Sequence, residues 1–420
     1  MSEGKGTTTI QTSFRIVVIF PLVLIAAALT FFFWPNPETP APSVALPEPQ
    51  KEEPHALAPL EITPDWTMLD VFQKTITQDQ FLTRLERVYS KNNGWEQWIA
   101  TNKRNAMIKA GGETYLLEFS QTPKRAPGAL FPWKKKSELP ASTTHPLTGL
   151  HIALDPGHIG GDFAEMEERH LSYGDHDPIQ EGTMTLLTAQ HLRNYLERLG
   201  ANVTLVRKDN TPVTSVRPEN FKDRDRRSAE KLFYRTTEIR ARAELVNEVI
   251  QPDLVICLHY NASGSPIALS GQDFHIILNG AYHETEIARE DERFEMLQHL
   301  LAGTIEEELP LAGKMAEVFM ANTDLPPYEY RPDHPYSTKL GNAVWARNLL
   351  ANRLYQCPVI FMEPYTMNST EFIARHKAGD YEGLRMIDGK MRLSVYREYA
   401  QAVADGLVAY YGERQPLLHE

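Results

Sequence analysis

Four short stretches, far apart in the 420-residue chain, carry side chains that together could hydrolyse a bond: Leu154-Asp155-Pro156-Gly157-His158, Glu181 at the head of an amphipathic segment, Leu258-His259-Tyr260-Asn261-Ala262, and Met362-Glu363-Pro364-Tyr365-Thr366-Met367-Asn368. Neutral imidazole is a good ligand for zinc, so His158 and His259 are the first candidates. With one carboxylate, two imidazoles hold a divalent zinc and leave a position open for water; a second carboxylate, Glu363, can then carry that water's proton. Asp155 reads as a turn former or as a partner of the ligands rather than a ligand. The third ligand has several contenders between His158 and the next helix, namely Glu165, Glu167, Glu168, His170, Asp175, His176 and Asp177. The helical register after position 181 favours Glu181: Met184, Leu187, Leu192, Leu196 and Leu199 define one apolar helix face that stops at Gly200, and a carboxylate in a first turn is stabilised by the helix dipole. The acidic stretch before Glu181 then reads as a solvated surface insert.

Apolar runs at 150–154, 202–207, 254–258, 273–278 and 359–362 predict strands, and 3.6-residue periodicity predicts helices near 182–199, 236–249, 311–321, 340–352 and 391–411. Strands alternating with helices predict an α/β fold: a three-layer αβα catalytic domain around a mixed, mostly parallel sheet. Ligands bind such sheets beyond the carboxyl ends of the strands, and His158, His259 and Glu363 all fall at such ends. The charged insert at 209–235, with Arg217, Arg224, Arg226 and Arg227 among acids, reads as a salt-bridged surface.

The same four blocks, in this order over residues 148–412, resemble the zinc-dependent N-acetylmuramoyl-L-alanine amidases (amidase type 3). The family's D-P-G-H-G-G turn is similar to 155–161, here with Ile159 inserted before the glycine pair. Its E-K-x-x-x-L-x-x-A-x-x-L helix resembles Glu181, Leu186, Ala189 and Leu192, with Gly182 in place of the lysine. Its R-x-x-x-A-N helix and S-I-H-A-N-A strand end resemble Arg242, Val246, Asn247 and 257–262, and its L-V-E-x-G-F-x-S-N resembles 361–368, with Pro364 and Tyr365 departing from the pattern. The resemblance implies a peptidoglycan hydrolase that cuts the amide between N-acetylmuramic acid and L-alanine. It implies a zinc on His158, Glu181 and His259 and Glu363 as general base and acid; Asn261 and Asn368 are candidate substrate contacts, with orienting the His259 loop or forming a turn equally open for Asn261. The competing readings are another zinc amidohydrolase, a peptidase or deacetylase, and an inactive module that binds peptidoglycan or a partner.

The remaining sequence concerns delivery. With 43 basic against 55 acidic residues the net charge is −12, which excludes an electrostatic nucleic-acid partner. Two cysteines, Cys257 and Cys357, provide no disulfide framework and read as buried thiols. Residues 16–34 are almost uninterruptedly apolar, which predicts a single transmembrane anchor after a tail at 1–15; Lys5 and Arg15 before it and acids after it place the rest in the periplasm or its extracytoplasmic equivalent, where peptidoglycan lies. A proline-rich tether at 35–62, a small α+β domain of unassigned function at 63–120, a linker at 121–147 with a solvated run Lys134-Lys135-Lys136, the catalytic domain at 148–412 and a tail at 413–420 complete the expected order. An acidic stretch at 282–309 is expected either to lay an apolar face on the cleft and offer a carboxylate to the metal until an activating division or envelope protein removes it, or to be a surface helix remote from the metal.

Overall fold

The computed structural model describes residues 63–125, 133–140, 142, 144–173, 177–263 and 271–412. The expected tail, anchor and tether at 1–62 and the tail at 413–420 lie outside the described residues, and among those described no helix is long and apolar enough to cross a membrane. The described chain is a mixed α/β structure. Its first sheet is an antiparallel meander of β1 (Ile99–Thr101), β2 (Asn105–Ala110) and β3 (Glu113–Glu118). The central strands are β4 (His151–Pro156), β7 (Asn202–Leu205), β8 (Leu254–Leu258), β9 (Phe274–Leu278), β10 (Thr338–Gly341), β11 (Val344–Ala346) and β12 (Val359–Pro364). Two small ribbons, β5 (His170–Leu171) with β6 (Ile179–Gln180) and β13 (Arg385–Ile387) with β14 (Lys390–Arg392), sit apart from it.

The seven central strands are ordered β10-β11-β9-β12-β8-β4-β7. Strands β7, β4, β8 and β12 run parallel, β9 and β11 run against β12, and β10 reverses again. All five residues of β8 and all five of β9 are buried, so these strands need apolar side chains on both faces. Register partners share a face, and Asp155↔Cys257, Cys257↔Phe361 and Glu363↔His275 are partners. Strand alternation therefore puts Asp155, Cys257, Phe361, Glu363 and His275 on one side of the sheet. That side carries the helical run over 226–250, whose Arg242 reaches Asp155 at 2.9 Å, and the helix Leu350–Leu354. The opposite side carries the helices Glu181–Arg198, Ile305–Thr323 and Val395–Tyr411, which pack on one another; Phe319 stacks on Phe274 at 4.3 Å.

Two expected helices come out differently. Residues 340–352 form the β10–β11 hairpin and a short helix at Leu350–Leu354, because Gly341, Asn342 and Ala343 (φ +55°) make a turn and Val344, Trp345 and Ala346 are all buried. The helix expected near 236–249 begins at Arg226, where the Asp225 carboxylate accepts the Ser228 amide at 3.0 Å, and its turns widen at Phe233–Thr237 and Leu245–Ile250. Its charged residues Arg226 and Arg227 face solvent while Ala229, Leu232 and Phe233 are buried, so part of the apparent surface insert is an amphipathic helix.

The acidic stretch at 282–309 folds as Glu284–Ile287, Glu290–Ala302 and the start of Ile305–Thr323. Several of its carboxylates have partners of their own: Glu290 accepts from Trp66 at 2.8 Å, Glu295 pairs with Arg353 at 2.5 Å, Glu292 pairs with Arg289 and Arg353, and Glu306 pairs with Arg84. Lys134, expected to be solvated, bonds the buried Asp253 at 2.9 Å. Buried side chains of the first segment, including Leu69, Phe72, Phe81 and Tyr89, join the same apolar core as the central sheet.

Glu308 is fully buried, and one of its oxygens accepts the first amide of β12 from Val359 at 2.9 Å. Burial pushes its carboxyl from the ordinary 4.5 up to about 8, so the folded protein keeps a proton that the unfolded chain releases. Its stabilising contribution is full below about 4.5, declines as pH rises and is gone above about 8. Glu308→Gln keeps an acceptor for Val359 and cannot ionise. It should melt several degrees above the parent at pH beyond about 8 and show no such gain at acidic pH, and parallel melting curves for the two proteins across that window would contradict this.

Candidate metal centre

His158 leaves the end of β4 through Pro156 and Gly157, with its own backbone at φ +58°. Glycine at 157 is required by a close approach: a Cβ there would stand 2.3 Å from Cε1 of His259. His259 is the first residue after β8, its amide donates to the Met362 carbonyl at 3.1 Å, and its ring stacks on Phe361 at 4.3 Å. Glu181 is the first residue of the Glu181–Arg198 helix and is only 2% exposed. Residue 182, a lysine in the family's pattern, is a glycine here for a local reason. A Cβ there would be 2.3 Å from the Gly160 nitrogen, so the helix end rests directly on the 159–160 backbone.

These elements bring His158, Glu181 and His259 together. His158 Nε2 lies 3.2 Å from Glu181 Oε2, His259 Nδ1 lies 3.1 Å from Glu181 Oε1, and the three ligand atoms all fall within 4.8 Å of one another. Among the described residues no other group of three His, Cys, Asp or Glu side chains converges in this way. Metal bonds of about 2.0–2.2 Å from imidazole and carboxylate to a tetrahedral zinc put ligand atoms a little over 3 Å apart, and the donor set of two imidazoles and one carboxylate, gathered within 4.8 Å, suits that ion. Of the contenders for the third position, Glu165, Glu167, Glu168, His170 and Asp177 are not in the group, and Asp175 and His176 lie outside the described residues.

The electrostatics arise from crowding charges in a dry place. Burial pushes the Glu181 carboxyl up, but His158, His259 and Arg169 outweigh it and hold it down at about 2. Burial drives His158 well below the usual imidazole range. For His259 burial also acts downward, yet the bond and charge of Glu181, with Glu363 and Asp155 behind, leave it raised. Glu363, near the cleft end of β12, is raised to about 7, because burial and the Glu181 charge outweigh His259, Arg169 and Arg347. A carboxyl poised near neutral pH can both take and return a proton.

The supporting residues were largely missed by sequence reasoning. Glu167, expected in a solvated insert, is 2% exposed; its carboxylate accepts the Ile159 amide at 2.9 Å and the Gly160 amide at 3.0 Å and lies 3.7 Å from His158 Nδ1. The available signal was an acid a few residues beyond a glycine pair whose amides need acceptors. Arg207 stood at the end of an expected strand. It is 3% exposed and donates to the carbonyls of Pro156 at 3.1 Å, Gly157 at 3.4 Å and Gly182, while Arg242 donates to those of Pro156 at 2.9 Å and His158 at 2.8 Å. Asp155 is not among the converging ligands; it accepts from Arg242 at 2.9 Å and from the Tyr355 hydroxyl at 2.6 Å. Asn261 donates to Asp273 at 3.1 Å on the rim, and the fully buried Asn368 accepts the Ser263 amide at 2.9 Å and donates to the Ser263 carbonyl at 3.0 Å.

Two imidazoles and a carboxylate that could hold a metal ion, with the raised carboxyl of Glu363 close enough to act on His259, are thus set at the strand ends of a mixed sheet. A family model described as N-acetylmuramoyl-L-alanine amidase matches residues 152–371, more than half of the chain, and the chain belongs to that family. It is 33% identical over 141 residues to a germination-specific N-acetylmuramoyl-L-alanine amidase of Bacillus subtilis (strain 168), a match that covers 34% of this chain and half of that relative's length. Among solved structures it is similar to the amidase Ami1 of Mycobacterium abscessus in its apo form, at 20% identity, 63% and 99% coverage of the two chains and a TM-score of 0.37. It is also similar to the CwlD amidase of Clostridioides difficile, solved in complex with the GerS lipoprotein, at 14% identity, 63% and 100% coverage and a TM-score of 0.39.

If the triad holds metal, His158→Ala or His259→Ala should each lose most of the zinc that the parent retains after dialysis. Glu167→Ala should weaken zinc by about tenfold to a hundredfold, the usual effect of removing a residue that orients a ligand. Elemental analysis decides this, and one zinc per chain in the His158→Ala protein would be incompatible with the assignment.

Proposed function

We propose that the protein cleaves the amide between N-acetylmuramic acid and the L-alanine of the peptidoglycan stem, with zinc held by His158, Glu181 and His259 and with Glu363 as general base and acid. The observation that carries this reading is the convergence of those three ligands beside a carboxyl near neutral pKa, within a chain of the amidase family. A bound zinc supplies Lewis acidity and lowers the pKa of water. The chain's own residues do the rest. Glu363 accepts a proton as water attacks the lactyl carbonyl, then delivers it to the departing alanine nitrogen so that the amine leaves neutral. Glu181 neutralises and orients both imidazoles, and the stack on Phe361 fixes the His259 ring plane. Asn261 is assigned to contact substrate at the rim, whereas Asn368 is assigned to hold the 261–263 loop, since its amide is engaged with Ser263. We place the site outside the cytoplasm, tethered by the apolar segment at 16–34, with a separate envelope protein as the candidate activator.

Purified sacculi treated with the zinc-loaded chain should release free stem peptides and leave intact glycan, by mass analysis. Deacetylated sugars would indicate a deacetylase, and no product would leave a binding module. Glu363→Gln keeps shape but cannot carry the proton, so activity should drop by about a hundredfold or more while zinc content stays at the parent's level. A Gln variant with most of its activity would remove Glu363 from the mechanism.

A further inference from the structure

The segment between His158 and Glu181 does more than join two candidate ligands, because it brings a cation to one of them. Arg169 Nε stands 3.3 Å from Glu181 Oε2, the oxygen that also meets His158 Nε2 at 3.2 Å. The other oxygen, Oε1, is taken by the His259 ring and by the Tyr260 amide, both at 3.1 Å. Among the described residues Glu181 is the one carboxylate within ion-pair distance of Arg169, whose remaining bond goes to the Glu168 carbonyl at 3.1 Å. The neighbouring acids have other partners: Glu167 accepts the Ile159 and Gly160 amides beside His158, and Glu168 pairs with Arg227 and Arg235. The Arg169 charge acts on His158, Glu181 and Glu363 alike, so it is felt across the whole cluster.

This placement is built into the backbone. The Arg169 amide donates to the Ala164 carbonyl at 2.9 Å, and the Arg169 carbonyl accepts the Glu181 amide at 3.2 Å. Next to it β5 pairs with β6 through His170↔Gln180, so Arg169 and Glu181 are neighbours by register. Glu168 turns the chain at φ +57°, a conformation uncommon outside glycine, and its carboxylate is held there by the two arginines. Underneath, Ile159, the residue inserted into the family's turn, is fully buried with Phe233 and Tyr234, and Phe163 and Met166 pack against them. Arg169 therefore projects from a packed and hydrogen-bonded wall rather than from a free loop.

Exposure sets this residue apart from the other arginines around the site. The Arg242 side chain is 5% exposed and Arg207 is 3% exposed, whereas the Arg169 side chain keeps 37% of its surface in water. A guanidinium that reaches in from solvent can leave a carboxylate without becoming a buried, unpaired charge. A divalent ion drawn to the same carboxylate meets that guanidinium as a like charge, and in a dry site the repulsion is stronger than in water. Resting on the proposed metal centre, we propose that Arg169 is a built-in rival of the metal for Glu181: the ion pair opposes loading, loading releases the guanidinium, and the balance sets how tightly zinc is held. Arg169 is thus a positioning residue that acts through Glu181. It weakens zinc, and it makes the loaded fraction of the protein follow the supply of the ion.

Two measurements on the full chain test this. Zinc affinity is read by competition with a chromogenic chelator, and the accessibility of Arg169 by its rate of reaction with phenylglyoxal, followed by peptide mass mapping. Arg169→Met, similar in length and uncharged, should bind zinc about tenfold more tightly than the parent, the scale of one charged contact, while Arg169→Lys keeps the charge and should stay within about threefold of the parent. In the parent, zinc should speed modification of Arg169 several-fold and leave the buried Arg207 unchanged. If Arg169→Met does not fold, the modification rates of the parent decide the matter. An Arg169→Met protein that binds zinc no more tightly than the parent, an Arg169→Lys protein as tight as the Met variant, or a modification rate indifferent to zinc would each overturn the proposal and leave the metal centre standing. A parent that binds no zinc overturns both.

Discussion

Backbone carbonyls that point inward at the end of β4 are the constraint on which this site depends. The oxygens of Pro156, Gly157, His158 and Gly182 are met by two buried guanidiniums, Arg207 and Arg242. Putting two like charges side by side in a dry interior is unfavourable; burial and the neighbouring Arg242 lower Arg207 to about 9. What makes it tolerable is a set of carboxylates on the far side: Asp155 and Glu238 around Arg242, both at close range. Removing one member of such a network leaves an uncompensated charge, typically worth about 3–5 kcal/mol. The candidate ligand His158 takes its position from this arrangement, because it is carried by the turn whose carbonyls the arginines hold.

The strand and helix frame was legible in the sequence because β8 and β12 are continuous apolar runs that end abruptly in His259 and Glu363. A polar residue at the limit of such a run has only the sheet edge to go to. Glu181 was legible through the apolar face behind it. The illegible parts depended on contacts between distant segments. Glu167 looked like one acid among many, and only the fold shows that it faces the free amides of Ile159 and Gly160. The β10–β11 hairpin reads as a helix in the sequence because Leu340, Val344 and the apolar residues after them also fit helical spacing; the turn residues Gly341 and Asn342 are the contrary signal.

The acidic stretch at 282–309 illustrates a similar ambiguity. Its composition suits a surface helix or a plug, yet its carboxylates serve cations from several parts of the chain, Arg84, Arg289 and Arg353. Glu290 and Phe294 both meet Trp66, so this stretch cements the first segment to the sheet. Near the candidate ligands, the buried Glu167 is offset by the Ile159 and Gly160 amides, and Glu181 by the two imidazoles.

The place of β12 has a consequence for the order in which the molecule can be assembled. Strands β8 and β9 are neighbours in sequence but not in the sheet, because β12 lies between them. The His259 amide bonds the Met362 carbonyl, and His275 meets Glu363 only through the same late strand. A chain emerging from its N-terminus therefore carries both imidazoles and Glu181 long before the strand that locks them has been made, and such long-range closure is slow relative to local folding. The cluster of His158, Glu181, His259 and Glu363 is consequently among the last parts of the fold to be completed.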